Sequence, residues 1–287
     1  MSGRFRAIAL GAYMALTGSL AVQAALGAGL PEPAGKMVDV GDALLHVEVM
    51  GSGPPVLFLH GGLRYFDTTF ALQAPYFSAF RTVIGVDQRG HGHSPDREQA
   101  FSYTQMADDT AVVLGKLNLG PVDVVGHSDG GNVGLLLALR HPELVRRLVV
   151  SGANLRGGRP RVLGFLRSLV ARDDAPPADV PSPLRDQYAS VSPDGARHWP
   201  VILAKSSALW ATRTVLTPDD LQAIHIPVLV MAGDHDDIAL DQTAEIFRNL
   251  PLGELCILPG SGHETMIDRA DDFNRLTRAF LDGKTVP

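Results

Sequence analysis

The chain of 287 residues has the composition of a folded enzyme domain, with 45% hydrophobic and 20% charged residues. This composition excludes an intrinsically disordered chain. The formal net charge of −6 disfavours nucleic acids and anionic membrane surfaces as binding partners. The single cysteine, Cys256, cannot form an intramolecular disulfide and is interpreted as a core-packing residue.

The first 24 residues have the pattern of a signal peptide. Arg4 and Arg6 precede a long uncharged run, and the small residues Val22 and Ala24 are placed like a signal-peptidase site. We therefore predict cleavage near Ala24 and an exported protein, periplasmic or extracellular. The alternative is an uncleaved membrane anchor, because the uncharged run is long enough to cross a bilayer, although its glycines and polar residues make it weakly apolar.

Strand-like segments follow the leader. The stretch "KMVDVGDALLHVEVMGSGPP" contains two alternating segments joined through Gly41 and Asp42, which predicts an antiparallel hairpin. Later apolar segments are rich in β-branched residues, do not alternate and each end in glycine and polar residues. This character is typical of strands buried on both faces. The segments are "PPVLFLHGG", "RTVIGVDQRGHGHS", "PVDVVGHSDGG", "RRLVVSGAN", "IPVLVMAGDHDD" and "GELCILPGSGH".

Helical patterns separate these strands, as in "SYTQMADDTAVVLGKLNL", "GNVGLLLALRHPELV", "QTAEIFRNL" and "DDFNRLTRAFLDG". The alternation of strand and helix predicts a doubly wound, mostly parallel sheet. In such a sheet, ligands bind outside the carboxyl ends of the strands. The functional residues are therefore expected at the glycine-rich turns.

The interval 156–225 breaks the alternation, because it contains helical patterns and a proline-rich stretch but no convincing strand. We predict that it forms a helical lid over the strand ends. Most of its large apolar residues are expected to form a small core of the lid itself, with one or two at the substrate; those considered are Phe165, Leu166, Trp199 and Trp210. The predicted organisation is a signal peptide at 1–24, a core at 36–155 and 226–284, and the lid at 156–225.

The turn "GHSDGG" is the strongest chemical signal in the chain. A serine hydroxyl is a weak nucleophile until a base removes its proton, and a tight turn from strand to helix exposes it beside backbone donors. Such a turn is strained and requires small residues two positions to either side, which Gly126 and Gly130 provide around Ser128. Because strand-like "VDVV" precedes the turn and helical "GNVGLLLAL" follows it, Ser128 is the predicted nucleophile.

A serine nucleophile requires a histidine base and an acid that fixes the tautomer of the imidazole. His263 is the predicted base, because it follows a small-residue loop after the last strand. Three other histidines lie in helical or linker contexts: His141, His198 and His225. The acid is expected in the turn "MAGDHDDI", where the candidates are Asp234, Asp236 and Asp237. The resulting order of serine, acid and histidine is the one expected for this type of sheet.

The oxyanion that forms on the attacked carbonyl needs two backbone N–H donors. The residue after the nucleophile supplies one, so Asp129 is predicted to donate its N–H at the start of a helix. The second donor is expected from the loop in "LFLHGGL", with Gly62 as the candidate and Leu63 as the alternative. His60 is expected to hydrogen-bond the neighbouring loops and to hold the oxyanion site in shape.

Together, the motifs "HGG", "DQRGHGHS", "GHSDGG", "SGAN", "GDHD" and "GSGH" resemble those of the α/β-hydrolase family over nearly all of residues 36–284. The resemblance implies a mostly parallel eight-stranded sheet with helices on both faces, a helical lid, and hydrolysis without a cofactor or a metal. In this family the acid usually stands three residues after the glycine of its turn, which here is Asp236. Serine at position 128 excludes the family members that use aspartate as nucleophile.

A narrower resemblance, carried by "SDGG" and the following "AN" pair, is to amino-acid ester hydrolases of the valacyclovirase type. It implies that Asp129 binds the α-ammonium group of the substrate. The alternative is that a carboxylate at a helix N-terminus is favourable by about 0.3–1 kcal/mol without any ligand. The clusters "RGHGHS" and "DHDD" contain metal-ligand residue types, but structural roles are predicted for Asp87, Arg89, His91 and His93.

The predicted function is that of an exported serine hydrolase that cleaves a carboxylic ester of a small molecule through an acyl-enzyme on Ser128. A lactonase and an aminoacyl ester or amide hydrolase remain alternatives, because one sequence does not reveal the shape of the pocket. A different class of function, a non-catalytic small-molecule-binding protein on the same scaffold, is also considered. The sequence does not indicate an oligomeric state.

Overall fold

The computed structural model describes residues 35–156, 183–211 and 216–284. Within them, eight strands form one sheet in the order β1-β2-β4-β3-β5-β6-β7-β8. The strands are β1 (Lys36–Asp39), β2 (Leu44–Met50), β3 (Pro55–Leu59), β4 (Thr82–Val86), β5 (Val122–His127), β6 (Val145–Ser151), β7 (Val228–Gly233) and β8 (Gly253–Leu258). The predicted signal peptide and the predicted pocket residues Phe165 and Leu166 lie outside the described residues.

The sheet is antiparallel at one edge and parallel elsewhere. Strand β2 pairs antiparallel with β1 and with β4, and the remaining neighbours pair in parallel. The hairpin between β1 and β2 turns at Gly41, which has a φ of 110° and whose N–H donates to Asp39 Oδ1 over 2.7 Å. Because that φ favours glycine, the turn has the local geometry predicted from the Gly41-Asp42 pair.

Helices cover both faces of the sheet. They are α1 (Phe66–Phe70), α2 (Gln73–Ser78), α3 (Tyr103–Leu117), α4 (Asp129–Arg140), α5 (Pro183–Val191), α6 (Trp199–Trp210), α7 (Pro218–Gln222), α8 (Leu240–Asn249), α9 (Thr265–Asp268) and α10 (Ala270–Leu281). Along β3, Val56 and Phe58 pack with α1, α2 and α10, whereas Leu57 and Leu59 pack with α3 and α4. Successive side chains of a strand point to opposite faces, so β3 is buried on both and shows no polar alternation.

The described part of the interval 156–225 is helical. Helices α5 and α6 share a small core that includes Tyr188, Trp199 and Ile202. Leu216, Leu221 and Ile224 instead belong to the large core beside the sheet. The segment from 216 onward therefore packs as part of the main body. Across the residues that the structure describes, no helix has both the length and the apolar character needed to span a membrane.

Candidate active site

Ser128 occupies a strained turn between β5 and α4. Its φ of 53° and ψ of −115° are unfavourable for a residue with a side chain. A Cβ added at Gly126 would lie 2.3 Å from the carbonyl oxygen of Gly130, and one added at Gly130 would lie 2.0 Å from the carbonyl oxygen of Leu59. Only glycine fits these two positions, and the close packing there holds Ser128 in its strained conformation.

His263 connects Ser128 to Asp236. Its Nε2 lies 2.9 Å from Ser128 Oγ, and its Nδ1 lies 2.7 Å from Asp236 Oδ1. With the proton on Nδ1, the imidazole donates to the carboxylate and accepts from the hydroxyl. The three side chains come from the ends of β5, β7 and β8, so the sheet brings together residues that are far apart in the sequence.

The three aspartates of the turn after β7 have different environments. The Asp236 side chain is fully buried, and its Oδ1 also accepts from the N–H of Ile238 over 2.7 Å. Asp234 is exposed, and its Oδ1 accepts from the N–H of Ser261 over 3.2 Å. Asp237 is also exposed. Of the three, Asp236 is the residue that the structure places against His263.

Gly62 lies directly against the start of α4. A Cβ added at Gly62 would be 2.3 Å from Asp129 Oδ2 and 2.5 Å from Trp210 Cζ2. At the neighbouring Gly61, an added Cβ would be 3.4 Å from Ser128 Cβ. The loop after β3, which we call the oxyanion loop (residues 61–64), therefore brings its backbone beside the nucleophile turn, and Leu63 follows with a φ of 59°.

The carboxylate of Asp129 is buried and held by two neutral donors. The Tyr103 hydroxyl donates to Oδ1 over 2.7 Å, and the Trp210 indole N–H lies 2.8 Å from Oδ2 and 3.0 Å from Oδ1. Tyr103 was not identified from the sequence, which contains no signal that links it to Asp129.

Trp199, the other tryptophan considered for the substrate pocket, does not hydrogen-bond to Asp129. It is 1% exposed and packs against Tyr188 within the core of α5 and α6.

His60 links the oxyanion loop to the turn after β4. Its Nδ1 donates to the carbonyl of Gly61 over 2.8 Å, and its Nε2 accepts from the N–H of Gln88 over 2.9 Å. Burial and the neighbouring His91 lower the pKa of His60 to about 4. The imidazole is therefore neutral near pH 7, with one nitrogen as donor and the other as acceptor.

Two further contacts join the loops that carry the site. Arg64 in the oxyanion loop forms a buried ion pair with Glu264, the neighbour of His263, at 3.3 Å between Nε and Oε1. The buried ring of His127 lies 4.8 Å from the ring of His263, measured between centroids. The loop that carries His263 is therefore packed against the segments beside Ser128 and joined to the oxyanion loop by an ion pair.

The turn after β4 contains the histidines and aspartate of the "DQRGHGHS" motif. Arg89 forms ion pairs with Asp109 and Asp42, and His91 Nδ1 lies 2.9 Å from the carbonyl oxygen of Arg89. Asp87 Oδ1 accepts from the N–H of Phe66 over 2.9 Å. These contacts give Asp87, Arg89 and His91 roles in holding loops together.

The comparisons with known proteins fit this fold and geometry. Residues 56–276 match the model of the Alpha/beta hydrolase family, so the chain belongs to that family, whose members are hydrolases, generally with a serine nucleophile. A 2-(acetamidomethylene)succinate hydrolase of Mesorhizobium japonicum is 30% identical over 253 residues, which are 79% of this chain and 88% of that protein. The sn-1-specific diacylglycerol lipase of Mus musculus is 29% identical over 251 residues, 79% of this chain and 81% of that protein.

Solved structures show the same fold. A meta-cleavage product hydrolase from Pseudomonas fluorescens aligns with a TM-score of 0.72 at 23% identity, over 87% of this chain and 98% of that one. The predicted fold class, a mostly parallel eight-stranded sheet with helices on both faces, is thereby confirmed. The predicted membership of the α/β-hydrolase family is confirmed by the match over residues 56–276.

Proposed function

We propose that the protein is an exported serine hydrolase that cleaves a carboxylic ester of a small molecule through an acyl-enzyme on Ser128. The observation that carries this proposal is the continuous contact from Asp236 through His263 to Ser128, at 2.7 Å and 2.9 Å. Both distances fall within the range for hydrogen bonds, so the serine proton has an acceptor and the imidazole has a fixed orientation.

In the first step, Ser128 Oγ attacks the ester carbonyl carbon while His263 Nε2 takes the hydroxyl proton. The carbonyl oxygen becomes an oxyanion beside the backbone N–H groups of Asp129 and Gly62, which are preorganised donors. When the intermediate collapses, the ester C–O bond breaks and His263 returns the proton to the leaving alcohol. Ser128 then carries the acyl group.

In the second step, water attacks the acyl carbon while His263 takes one of its protons. The second tetrahedral intermediate uses the same two N–H donors, and its collapse breaks the bond between the acyl carbon and Ser128 Oγ. His263 returns the proton to the serine oxygen, so the enzyme is regenerated and a carboxylic acid leaves. Throughout, Asp236 stabilises the imidazolium and keeps its proton-bearing Nδ1 directed away from the substrate.

Helices α5 and α6 are proposed to form part of the lid that selects the substrate. Support comes from α6, whose Trp210 contacts the Asp129 carboxylate beside Gly62. The leader at 1–24 is proposed to direct export and to be removed near Ala24. Sequencing the N-terminus of protein recovered from the producing cells tests this, because an intact Met1 in the exported fraction contradicts cleavage.

A fluorophosphonate probe tests the nucleophile, because it reacts covalently with an activated serine. We expect the probe to label the full-length wild type at Ser128 and to leave Ser128→Ala unlabelled. Ser78→Ala is the matched control, since Ser78 lies on α2 with its hydroxyl bonded to the carbonyl of Pro75, and it should label like the wild type. Labelling of Ser128→Ala at another residue contradicts the proposal.

A second candidate function, hydrolysis of aminoacyl esters or amides, is favoured by the environment of Asp129. The buried carboxylate receives hydrogen bonds from the neutral groups of Tyr103 and Trp210, which do not neutralise its negative charge. A substrate ammonium group would do so, and it would lie near the oxyanion loop because Oδ2 faces Gly62.

Paired substrates test this second function. Aminoacyl esters and their N-acetylated counterparts differ in the ammonium charge, so kcat/KM should be higher for the free amines, and Asp129→Asn should reduce that preference. Equal kcat/KM for both forms in the wild type contradicts a role for Asp129 in charge recognition. The same panel, extended to lactones, separates a lactonase from an esterase.

A further inference from the structure

A second group of histidine and carboxylate side chains lies behind the oxyanion loop. His46 belongs to β2, Asp87 follows β4, and His93 lies in the turn after it. His46 Nδ1 is 3.4 Å from Asp87 Oδ2, and His93 Nδ1 is 3.0 Å from the same oxygen. The three side chains offer one ligand atom each, and all of these atoms lie within 4.8 Å of one another.

These separations suit a tetrahedral metal ion. Zinc bound to nitrogen and oxygen ligands at about 2.0–2.1 Å requires ligand atoms about 3.4 Å apart. Two of the observed separations already lie close to this value. Glu48, two residues from His46 on β2, lies next to this group, with its Oε1 3.8 Å from His46 Nδ1, and is the proposed fourth ligand.

The charge around the cluster also favours a cation. Three carboxylates converge there: those of Glu48 and Asp87, which are 5% and 1% exposed, and that of the half-buried Asp67. The two imidazoles are neutral when they bind a metal and would not balance this negative charge. Without a metal, the contacts of Asp87 with His46 and His93 offset its charge. When both imidazoles bind a metal as neutral ligands, the divalent ion takes over that role. The His93 side chain is 25% exposed, so the cluster is accessible from solvent.

We propose that His46, Asp87, His93 and Glu48 bind one divalent transition-metal ion, with Zn²⁺ as the cation that fits the donor set. The sequence prediction of no metal considered the "RGHGHS" cluster by itself and did not include His46 or Glu48, which β2 brings to it. Asp87 also accepts from the N–H of Phe66 at the start of α1, directly after the oxyanion loop. The ion would therefore be structural and would brace that loop.

Metal titration of the full-length protein, after removal of metals with a chelator, tests the site. Co²⁺ should give the intense visible absorption of a tetrahedral complex, and competition with a chromophoric chelator should show one Zn²⁺ per chain. His93→Gln should lower Zn²⁺ affinity by at least the 10- to 100-fold that loss of an outer-sphere partner costs. The matched control is His141→Gln, since His141 pairs with Asp108 at 2.8 Å on the surface without a second histidine.

Three outcomes overturn the proposal: wild-type affinity no higher than that of His93→Gln, loss of affinity in His141→Gln equal to that in His93→Gln, or only the weak Co²⁺ absorption of an octahedral aqua complex. Zn²⁺ should also raise the Tm of the wild type more than that of His93→Gln. If His93→Gln does not fold, Glu48→Gln provides the comparison, because it removes one carboxylate ligand and keeps both histidines. The Co²⁺ spectrum of the wild type decides the geometry without any variant.

Discussion

Two histidine–carboxylate assemblies at the same edge of the sheet differ in what surrounds the imidazole. His263 has Asp236 on Nδ1 and a serine hydroxyl on Nε2, next to the backbone of α4. His93 has Asp87 on Nδ1, but its ring packs against the rings of His46 and Tyr65. A histidine paired with an aspartate therefore does not by itself make a site for proton transfer. Proton transfer requires that the second imidazole nitrogen face a reacting group.

The carboxylates of the two assemblies are also engaged differently. In both, the carboxylate binds a backbone N–H as well as histidine: Asp236 binds Ile238, and Asp87 binds Phe66 and His93. Burial by itself raises the pKa of Asp87, but the contacts from His46 and His93 outweigh that effect and hold the pKa well below its usual range. Asp87 thus stays ionised and joins three chain segments, whereas Asp236 orients one imidazole.

The largest expected effect is on activity in Asp236→Asn. An amide in this position favours the wrong tautomer of His263, so kcat on an ester should fall by about 10⁴-fold while the fold is retained. Steady-state kinetics and circular dichroism measure the two quantities. Asp234→Asn is the matched control in the same turn and should lower kcat less than about 10-fold, because Asp234 contacts Ser261 and not His263. The reverse ranking would assign the acid to Asp234.

The next effect is on stability in Asp87→Asn. The amide has one acceptor oxygen where the carboxylate has two, so it cannot serve both Phe66 and His93, and the ionic contact with histidine is lost. The free energy of unfolding at pH 7 should fall by about 4 kcal/mol. Urea unfolding of metal-free protein measures it. A loss no larger than that of Asp236→Asn would mean that the two carboxylates have similar structural roles.

The smallest effect concerns His60, a third imidazole at this edge, whose two nitrogens bind backbone groups. Its pKa is lowered from 6.5 to about 4, so between these pH values the unfolded chain binds a proton that the folded chain does not. Stability should therefore fall as the pH decreases through this interval, by about 3 kcal/mol in total. The neighbouring His91, whose pKa burial also lowers, adds a change of the same sign.

Comparing unfolding free energies from pH 7 to pH 4 in wild type and His60→Gln isolates this contribution. Glutamine can still accept from the N–H of Gln88 but does not titrate, so the variant should lose less stability over the interval. His235→Gln is the control, because the His235 side chain is 77% exposed, and it should follow the wild-type curve. Parallel curves for wild type and His60→Gln would show that His60 is protonated in the folded state.

Much of the architecture could be predicted because buried parallel strands leave continuous β-branched segments and their turns carry glycine. Ser128 and His263 stood out because each follows such a strand in a turn of small residues. The turn after β7 offered three aspartates, and only the spacing of the family selected Asp236. The position of β4 between β2 and β3 was not predictable, since chain order does not determine how strands neighbour one another.

The contacts of α6 were the least predictable. Trp199 and Trp210 are eleven residues apart on α6, so they share a helical face and differ by about 16 Å along the axis. Periodicity therefore treats them alike, yet one lies in a small core and the other contacts Asp129. The contacts of Tyr103 and His46 could not be predicted from periodicity either, because they depend on how α3 and β2 pack against distant turns.

The order in which the site residues appear along the chain has a consequence for biosynthesis. The proposed nucleophile, Ser128, belongs to the middle of the chain, whereas the proposed acid and base, Asp236 and His263, follow β7 and β8. During synthesis, Ser128 therefore emerges from the ribosome long before any imidazole can activate it. On the proposed mechanism, a nascent or truncated polypeptide that ends before residue 263 lacks the base, and activity appears only when β8 has joined the sheet.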